Sequence, residues 1–136
     1  MRLGSISLLA PFLLAQAADP SVLGQFQTPS GNTFCLVYAG QPSPTLECEL
    51  KENTVKPPPR PKDCELDWGN RFSLPQKGAP VRGCYGDTLQ AELPRLEYGT
   101  PWKVAGFTCE ATTKRLRCTN TDGHGFELAR ASQKLF

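Results

Sequence analysis

The sequence is short of the residues on which most catalytic and metal sites depend. It contains one histidine, His124, and six cysteines. No two cysteines are separated by the short sequence interval that lets two thiolates bind one zinc ion. The G-x-S-x-G motif of serine hydrolases is also missing. We therefore expect no metal site and no cofactor.

An excess of one charge is missing as well. Lys and Arg total 15 and Asp and Glu total 13, so the formal net charge is only +2. Nucleic-acid-binding domains neutralise many phosphates and are usually strongly basic. Nucleic acid is therefore not an expected partner.

What the sequence does contain is turn-forming residues. It has 12 glycines and 13 prolines in 136 residues, a length that suffices for one hydrophobic core of moderate size. Short apolar-polar alternations lie between the turns, as in half-buried strands. These features predict an all-β, mainly antiparallel fold, a small disulfide-stabilised sandwich or barrel with at most one short helix.

The one long apolar run lies near the start of the chain. Residues 3–15 follow Arg2, are interrupted only by Gly, Ser and Pro, and are too few to span a bilayer. Ala15-Gln16-Ala17 has the small-x-small pattern of a signal-peptidase site. We expect residues 1–17 to be a signal peptide and 18–136 a single exported domain without stable membrane insertion. A membrane anchor or a buried N-terminal helix is the alternative.

The even number of cysteines behind an export signal indicates disulfides, and six cysteines allow about fifteen pairings. Strand alternation narrows the choice. If Cys109 faces Cys118, Ala111 faces Leu116 and all four share one face of a hairpin. The turn is then either the two residues Thr113-Lys114 or a looser four-residue loop from Thr112 to Arg115.

The same reasoning applies to an earlier pair of segments. If Cys35 faces Cys48, Val37 faces Leu46, while Glu47 and Glu49 point to water on the other face. Cys64 then pairs with Cys84 by elimination. The predicted bridges are Cys35–Cys48, Cys64–Cys84 and Cys109–Cys118.

Four other segments have a composition or alternation that predicts their local structure. Residues 56–61 contain four prolines and are expected to run over the surface as a polyproline II connector, with a docking ligand as the alternative. Thr88 to Leu93 is the only place where a short helix is expected, and Pro94 would end that helix. We expect one strand from Trp102 to Ala111 and a last strand from Phe126 to Ala129.

Several short motifs follow one another along the mature chain. They are the TPSGN of residues 28–32, the CYGDT of 84–88, the LEYG of 96–99 and the GHGF of 123–126. In this combination the sequence resembles a family of small exported bacterial proteins, mainly actinobacterial, known as a domain of unknown function. The resemblance implies export and a shared fold and assigns no catalytic residue.

His124 is the obvious candidate for acid-base chemistry. A catalytic interpretation uses it as a general base, oriented by Asp87 or Asp122, in a small hydrolase. The structural interpretation is a turn whose glycines adopt positive φ, with the imidazole hydrogen-bonded to backbone. No residue is marked as a nucleophile, so we expect no enzymatic activity.

Two carboxylates offer a second catalytic interpretation. Glu47 and Glu49 lie about 7 Å apart along one strand, a spacing compatible with a glycosidase that inverts configuration. A solvated strand face explains them equally well.

The remaining candidates are binding residues. Lys114, Arg115 and Arg117 form a basic hairpin tip, and Trp68 is the aromatic residue most expected to be partly exposed. We expect a non-catalytic binding module whose partner is an envelope or extracellular protein or glycan. An inhibitor of an extracytoplasmic hydrolase is the alternative, by fold-level analogy.

Overall fold

The computed structural model describes residues 4, 5, 7 and 19–136. Only residues 4, 5 and 7 of the expected signal peptide are described, and its expected cleavage site lies outside the described residues. Within the described chain there are ten strands and no helix. The strands are β1 (Val22–Gln27), β2 (Thr33–Tyr38), β3 (Thr45–Leu50), β4 (Asp67–Pro75), β5 (Val81–Tyr85), β6 (Trp102–Val104), β7 (Phe107–Ala111), β8 (Leu116–Thr119), β9 (Gly125–Ala129) and β10 (Ser132–Leu135). No helix in this part of the chain is long and apolar enough to cross a membrane.

The strands form two antiparallel meanders. The first sheet has the order β1-β2-β3-β4-β5 and the second the order β10-β9-β8-β7-β6, so within each sheet every strand pairs with its neighbours in sequence. Buried residues from both sheets belong to one apolar core. The rings of Phe72 on β4 and Phe126 on β9, for example, lie 6.1 Å apart. The all-β prediction is confirmed, and the architecture is a sandwich.

The three disulfides are the predicted ones: Cys35–Cys48, Cys64–Cys84 and Cys109–Cys118. In the first and the third, the two cysteines lie directly opposite each other in the register that the apolar alternation predicts. Both of these bridges are fully buried in the core, one from each sheet. Each bridge is expected to stabilise the fold by about 2–4 kcal/mol.

Two predicted boundaries around the second sheet are wrong. The expected strand from Trp102 to Ala111 is two strands, because Ala105 and Gly106 both have positive φ, 50° and 86°, as a type I′ hairpin turn requires. The expected last strand is followed by β10, whose exposed, polar composition gives no apolar alternation. At the β7–β8 turn the Thr112 N–H donates to the Arg115 carbonyl, so Thr113 and Lys114 are the turn residues.

The short helix considered for Thr88 to Leu93 does not form. Leu89 and Leu93 pack on Phe34, on the outer face of the first sheet. The Leu89 N–H donates to a carboxylate of β3 instead of serving a helical turn. This stretch is part of a long connection, residues 86–101, that crosses the outer face of the first sheet and passes to β6 beside Gln27.

Candidate functional site

Antiparallel meanders collect their turns at two ends of the molecule. We call one the closed end: it contains the β4–β5, β6–β7 and β8–β9 turns, residues 76–80, 105–106 and 120–124. We call the other the cleft end: it contains the β1–β2, β7–β8 and β9–β10 turns.

The cleft end contains a cleft of about 360 Å³, a volume in the range of small-ligand sites. Its walls are the β1–β2 turn, the chain just after β3, the β7–β8 turn and the β9–β10 turn. Most of the residues that line it are polar in type, although Leu116, Leu128 and Ala129 add apolar surface. The lining includes four cationic side chains and one carboxylate: Lys51, Lys114, Arg115, Arg130 and Glu52.

The charges in the cleft are only partly balanced. Arg130 pairs with Glu52 at 3.6 Å, and both side chains are more than half exposed. Arg115 lies 3.7 Å from Glu127, whose carboxylate is shared with Arg117 at 2.8 Å. Within the described chain, Lys51 and Lys114 form no salt bridge. The cleft therefore has a surplus of positive charge facing solvent.

Short polar contacts shape two of the walls. In the β1–β2 turn the Thr33 N–H donates to the Thr28 hydroxyl, which lies 3.0 Å from the Ser30 hydroxyl. Asn32 and Glu52 exchange two bonds: the Glu52 N–H donates to the side-chain oxygen Oδ1 of Asn32, and the side-chain amide of Asn32 donates to the Glu52 backbone carbonyl. The TPSGN motif thus builds the turn that borders the cleft.

The β7–β8 turn forms the facing wall. The Thr112 hydroxyl accepts hydrogen bonds from the backbone N–H groups of Lys114 and Arg115. These bonds fix the backbone from which the two cationic side chains project. The tip is therefore ordered while its charges remain exposed.

The predicted basic tip is divided by the fold. Lys114 and Arg115 line the cleft, whereas Arg117 lies on the outer face of the second sheet, bonded to Glu127 and placed over the Phe136 ring at 4.6 Å. Lys51 and Arg130, which join the cleft, were not among the sequence candidates. They lie far apart in sequence, and only the packing of the two sheets brings them together.

Trp68 is half-buried, on β4. Its indole N–H donates to the Pro58 carbonyl at 2.9 Å, and Pro57 lies against Gly69. Trp68 therefore anchors the proline-rich connector along the first sheet. Because the indole N–H is already hydrogen-bonded within the protein, Trp68 is less suited to serve as an exposed aromatic platform for a ligand.

His124 lies in the closed end. The buried Asn120 holds its turn: the Asn120 amide donates to the carbonyls of Pro75 and Gly78, and its carbonyl oxygen accepts from the N–H groups of Asp122 and His124. The Asp122 carboxylate accepts from the Gly78 N–H. Among the described residues, no hydrogen bond joins the His124 imidazole to Asp122.

Asp87 lies at the cleft end of the molecule, beyond the far end of β5 from Gly78. The five residues of β5 span roughly 17 Å at the rise of a strand. The structure therefore does not bring Asp87 and His124 within hydrogen-bonding distance. The glycines beside His124 have separate structural roles, since Gly123 has φ +77° and Gly125 has no room for a side chain.

Glu49 is not on a solvated face: it is 2% exposed, and that part of the interpretation is wrong. The 86–101 connection covers it, with the Thr88 hydroxyl donating to Glu49 at 2.6 Å. Arg71 bridges Glu49 and the half-exposed Glu47 and donates to the Asp87 backbone carbonyl. These bonds hold both carboxylates as partners of one guanidinium, an arrangement that fixes the connection rather than leaving an acid-base pair free.

Two tyrosines flank this cluster. Arg71 lies over the Tyr85 ring at 4.4 Å. Burial raises the pKa of Tyr85, and the carboxylates of Glu49 and Asp67 add to the effect. Burial and the Glu47 carboxylate likewise raise the pKa of Tyr38. Both phenols therefore ionise at a higher pH than an exposed tyrosine does.

The described residues contain no group of three or more His, Cys, Asp or Glu side chains arranged to hold a metal ion.

The model of the Family of unknown function (DUF6636) matches residues 3–136. The chain belongs to this family. No curated protein and no solved structure matches it. Membership in DUF6636 does not assign a ligand or a reaction.

Proposed function

We propose that this DUF6636 protein is an exported, non-catalytic binding module that holds an acidic group of its ligand in the cleft. The supporting observation is the surplus of positive charge there, with Lys51 and Lys114 outside any salt bridge of the described chain. Because the cleft is concave and open, these ammonium groups can reach a ligand without rearrangement of the fold.

Export is part of the proposal. Three disulfides are consistent with an oxidising compartment, and they include two buried bridges on which the core is built. N-terminal sequencing of the protein recovered outside the cytoplasm should begin at Ala18. Recovery of the protein with Met1 intact would contradict the leader interpretation.

The concave shape favours binding over inhibition of a hydrolase. An inhibitor commonly inserts a convex loop into the enzyme's cleft, whereas here the cavity is on this molecule. The Lys114 and Arg115 turn is exposed, but its charges border the cavity. These features favour a module that binds an acidic group in its own cleft over an inhibitor that inserts a loop into the cleft of an enzyme.

The test is affinity capture from envelope extracts with the purified protein. Replacing Lys114 and Arg115 together by Gln should remove most of the captured material, because two of the four cleft cations are lost. The matched control replaces Lys77 and Lys103, two exposed lysines outside the cleft lining, and has the same net charge. Equal capture by both variants, or equal loss in both, would contradict the proposed site.

A further inference from the structure

We infer that the ligand is a linear polyanion, a chain with repeated phosphate or carboxylate groups, and that it lies across the cleft from one sheet to the other. This inference rests on the proposed function and names its ligand class. It is carried by the placement of the four cations on three separate walls of the cleft.

The cations come from both sheets. Lys51 follows β3 of the first sheet, Lys114 and Arg115 are in the β7–β8 turn of the second, and Arg130 is in the β9–β10 turn. A single acidic group needs only one or two cationic partners, and a bidentate guanidinium alone suffices for it. Three separate cationic positions around one cavity are better suited to several acidic groups in succession.

The local ion pairs leave most of this charge available. Arg130 and Glu52 are 64% and 62% exposed, and such solvent-exposed pairs are worth only about 0–1 kcal/mol. Arg115 shares its partner, Glu127, with Arg117, which is closer to that carboxylate. A ligand anion can therefore replace either contact at small cost.

The walls also suit a chain better than a compact anion. The β1–β2 and β7–β8 turns face each other across the cleft without a hydrogen bond between them in the described structure. The Ser30 and Thr113 side chains add hydroxyl groups to these walls. Hydroxyls beside cations match a polymer that alternates acidic groups with oxygen-rich segments.

The experiment compares polymers with their monomers. The purified protein is titrated with polyphosphate and with polygalacturonate, with inorganic phosphate and galacturonate as monomers and with neutral dextran, at several salt concentrations. A polyanion should bind at least about tenfold more tightly than its monomer. For three to four neutralised groups on a single strand, log K should fall with log salt with a slope of about −2 to −3.

Two variants connect this binding to the cleft. Lys51→Gln with Lys114→Gln should reduce the magnitude of the salt slope by about 1 to 1.5, because two counterion-releasing contacts disappear. Lys77→Gln with Lys103→Gln, equal in charge, should leave the slope unchanged. Preference for polyphosphate or for polygalacturonate would identify which acidic group the cleft takes.

The failures are distinguishable. Equal affinity for polymer and monomer, still lost in the cleft variant, would overturn the polymer inference and leave the proposed function standing. The same conclusion follows if no polyanion binds but an envelope protein is captured through Lys114 and Arg115. Polyanion binding that falls equally in the cleft variant and the control would overturn both.

Discussion

The two ends of this sandwich are built from similar tight turns but use their side chains differently. At the closed end, Asn120, Thr121 and Gln76 form hydrogen bonds from one turn to another, so that turns of both sheets are connected. At the cleft end, the β1–β2 and β7–β8 turns are braced separately, and Thr54 provides an inter-sheet contact to the Arg130 carbonyl. Stability should therefore depend on the closed end and ligand binding on the cleft end.

The largest expected effect is at the closed end, at Gly125. A Cβ there would lie 1.9 Å from the Cys118 carbonyl oxygen on the neighbouring strand, so Gly125→Ala must separate β8 from β9. We expect a loss of about 3 kcal/mol, the upper range for overpacking, measured as a lower urea midpoint.

Gly31→Ala at the cleft end is the matched control for Gly125→Ala. Gly31 has φ +73°, but the added Cβ meets only the Arg95 side chain at 4.0 Å. The cost should be about 1 kcal/mol from backbone strain alone. Equal losses in the two variants would show that the ends do not differ in this way.

Asn120→Ala should have the next largest effect. The substitution removes the side chain that bonds partly buried backbone groups of both the β4–β5 and the β8–β9 turn, at a cost of about 2–3 kcal/mol. Asn32→Ala removes a similar pair of amide bonds at the exposed cleft end and should cost about 1 kcal/mol. At temperatures or urea concentrations below its unfolding transition, the Asn120→Ala variant should still bind the polyanion. Loss of binding by the folded variant would contradict the assignment of stability to the closed end and of binding to the cleft end.

The sequence was informative where local alternation determines structure. The register of both cystine hairpins follows from residues close together in the chain. The type I′ turn at Ala105 could not be found this way, because alanine rarely adopts the positive φ that the tight connection to Gly106 imposes. Tertiary packing outweighed local preference there.

The cleft was predictable only in part. Lys114 and Arg115 form an adjacent basic pair, which a sequence pattern can indicate. Lys51 and Arg130 are isolated in sequence and acquire meaning only when two sheets meet. The burial of Glu49 is unpredictable for the same reason, since alternation identifies a face of the strand but not the distant segment, around Thr88, that covers it.

A smaller effect is expected at the cleft end itself. Glu52→Gln should tighten polyanion binding about two- to fivefold, because the variant removes both the carboxylate that pairs with Arg130 and its repulsion of the ligand. Stability should change by less than about 0.5 kcal/mol, as for most surface substitutions. Titration calorimetry with polyphosphate measures the affinity.

Glu65→Gln is the control for Glu52→Gln, since Glu65 is exposed and lies outside the cleft lining. It removes the same charge and should leave the affinity nearly unchanged. If both substitutions tighten binding equally, the protein's net charge, rather than the cleft, determines the affinity.

The smallest effect is expected in the pH dependence of stability. Burial, with Glu49 and Asp67, raises the pKa of Tyr85 above its ordinary value of 10.0, so above that pH the unfolded chain ionises before the folded protein does. The unfolded state is then favoured, and the free energy of unfolding should fall as pH rises from 10.0 through the higher pKa of the folded protein. Tyr85→Phe removes this contribution, so its urea midpoint should fall less steeply above pH 10 than that of the wild type. An equally steep fall would show that Arg71, stacked on the Tyr85 ring, already compensates for the ionised phenol.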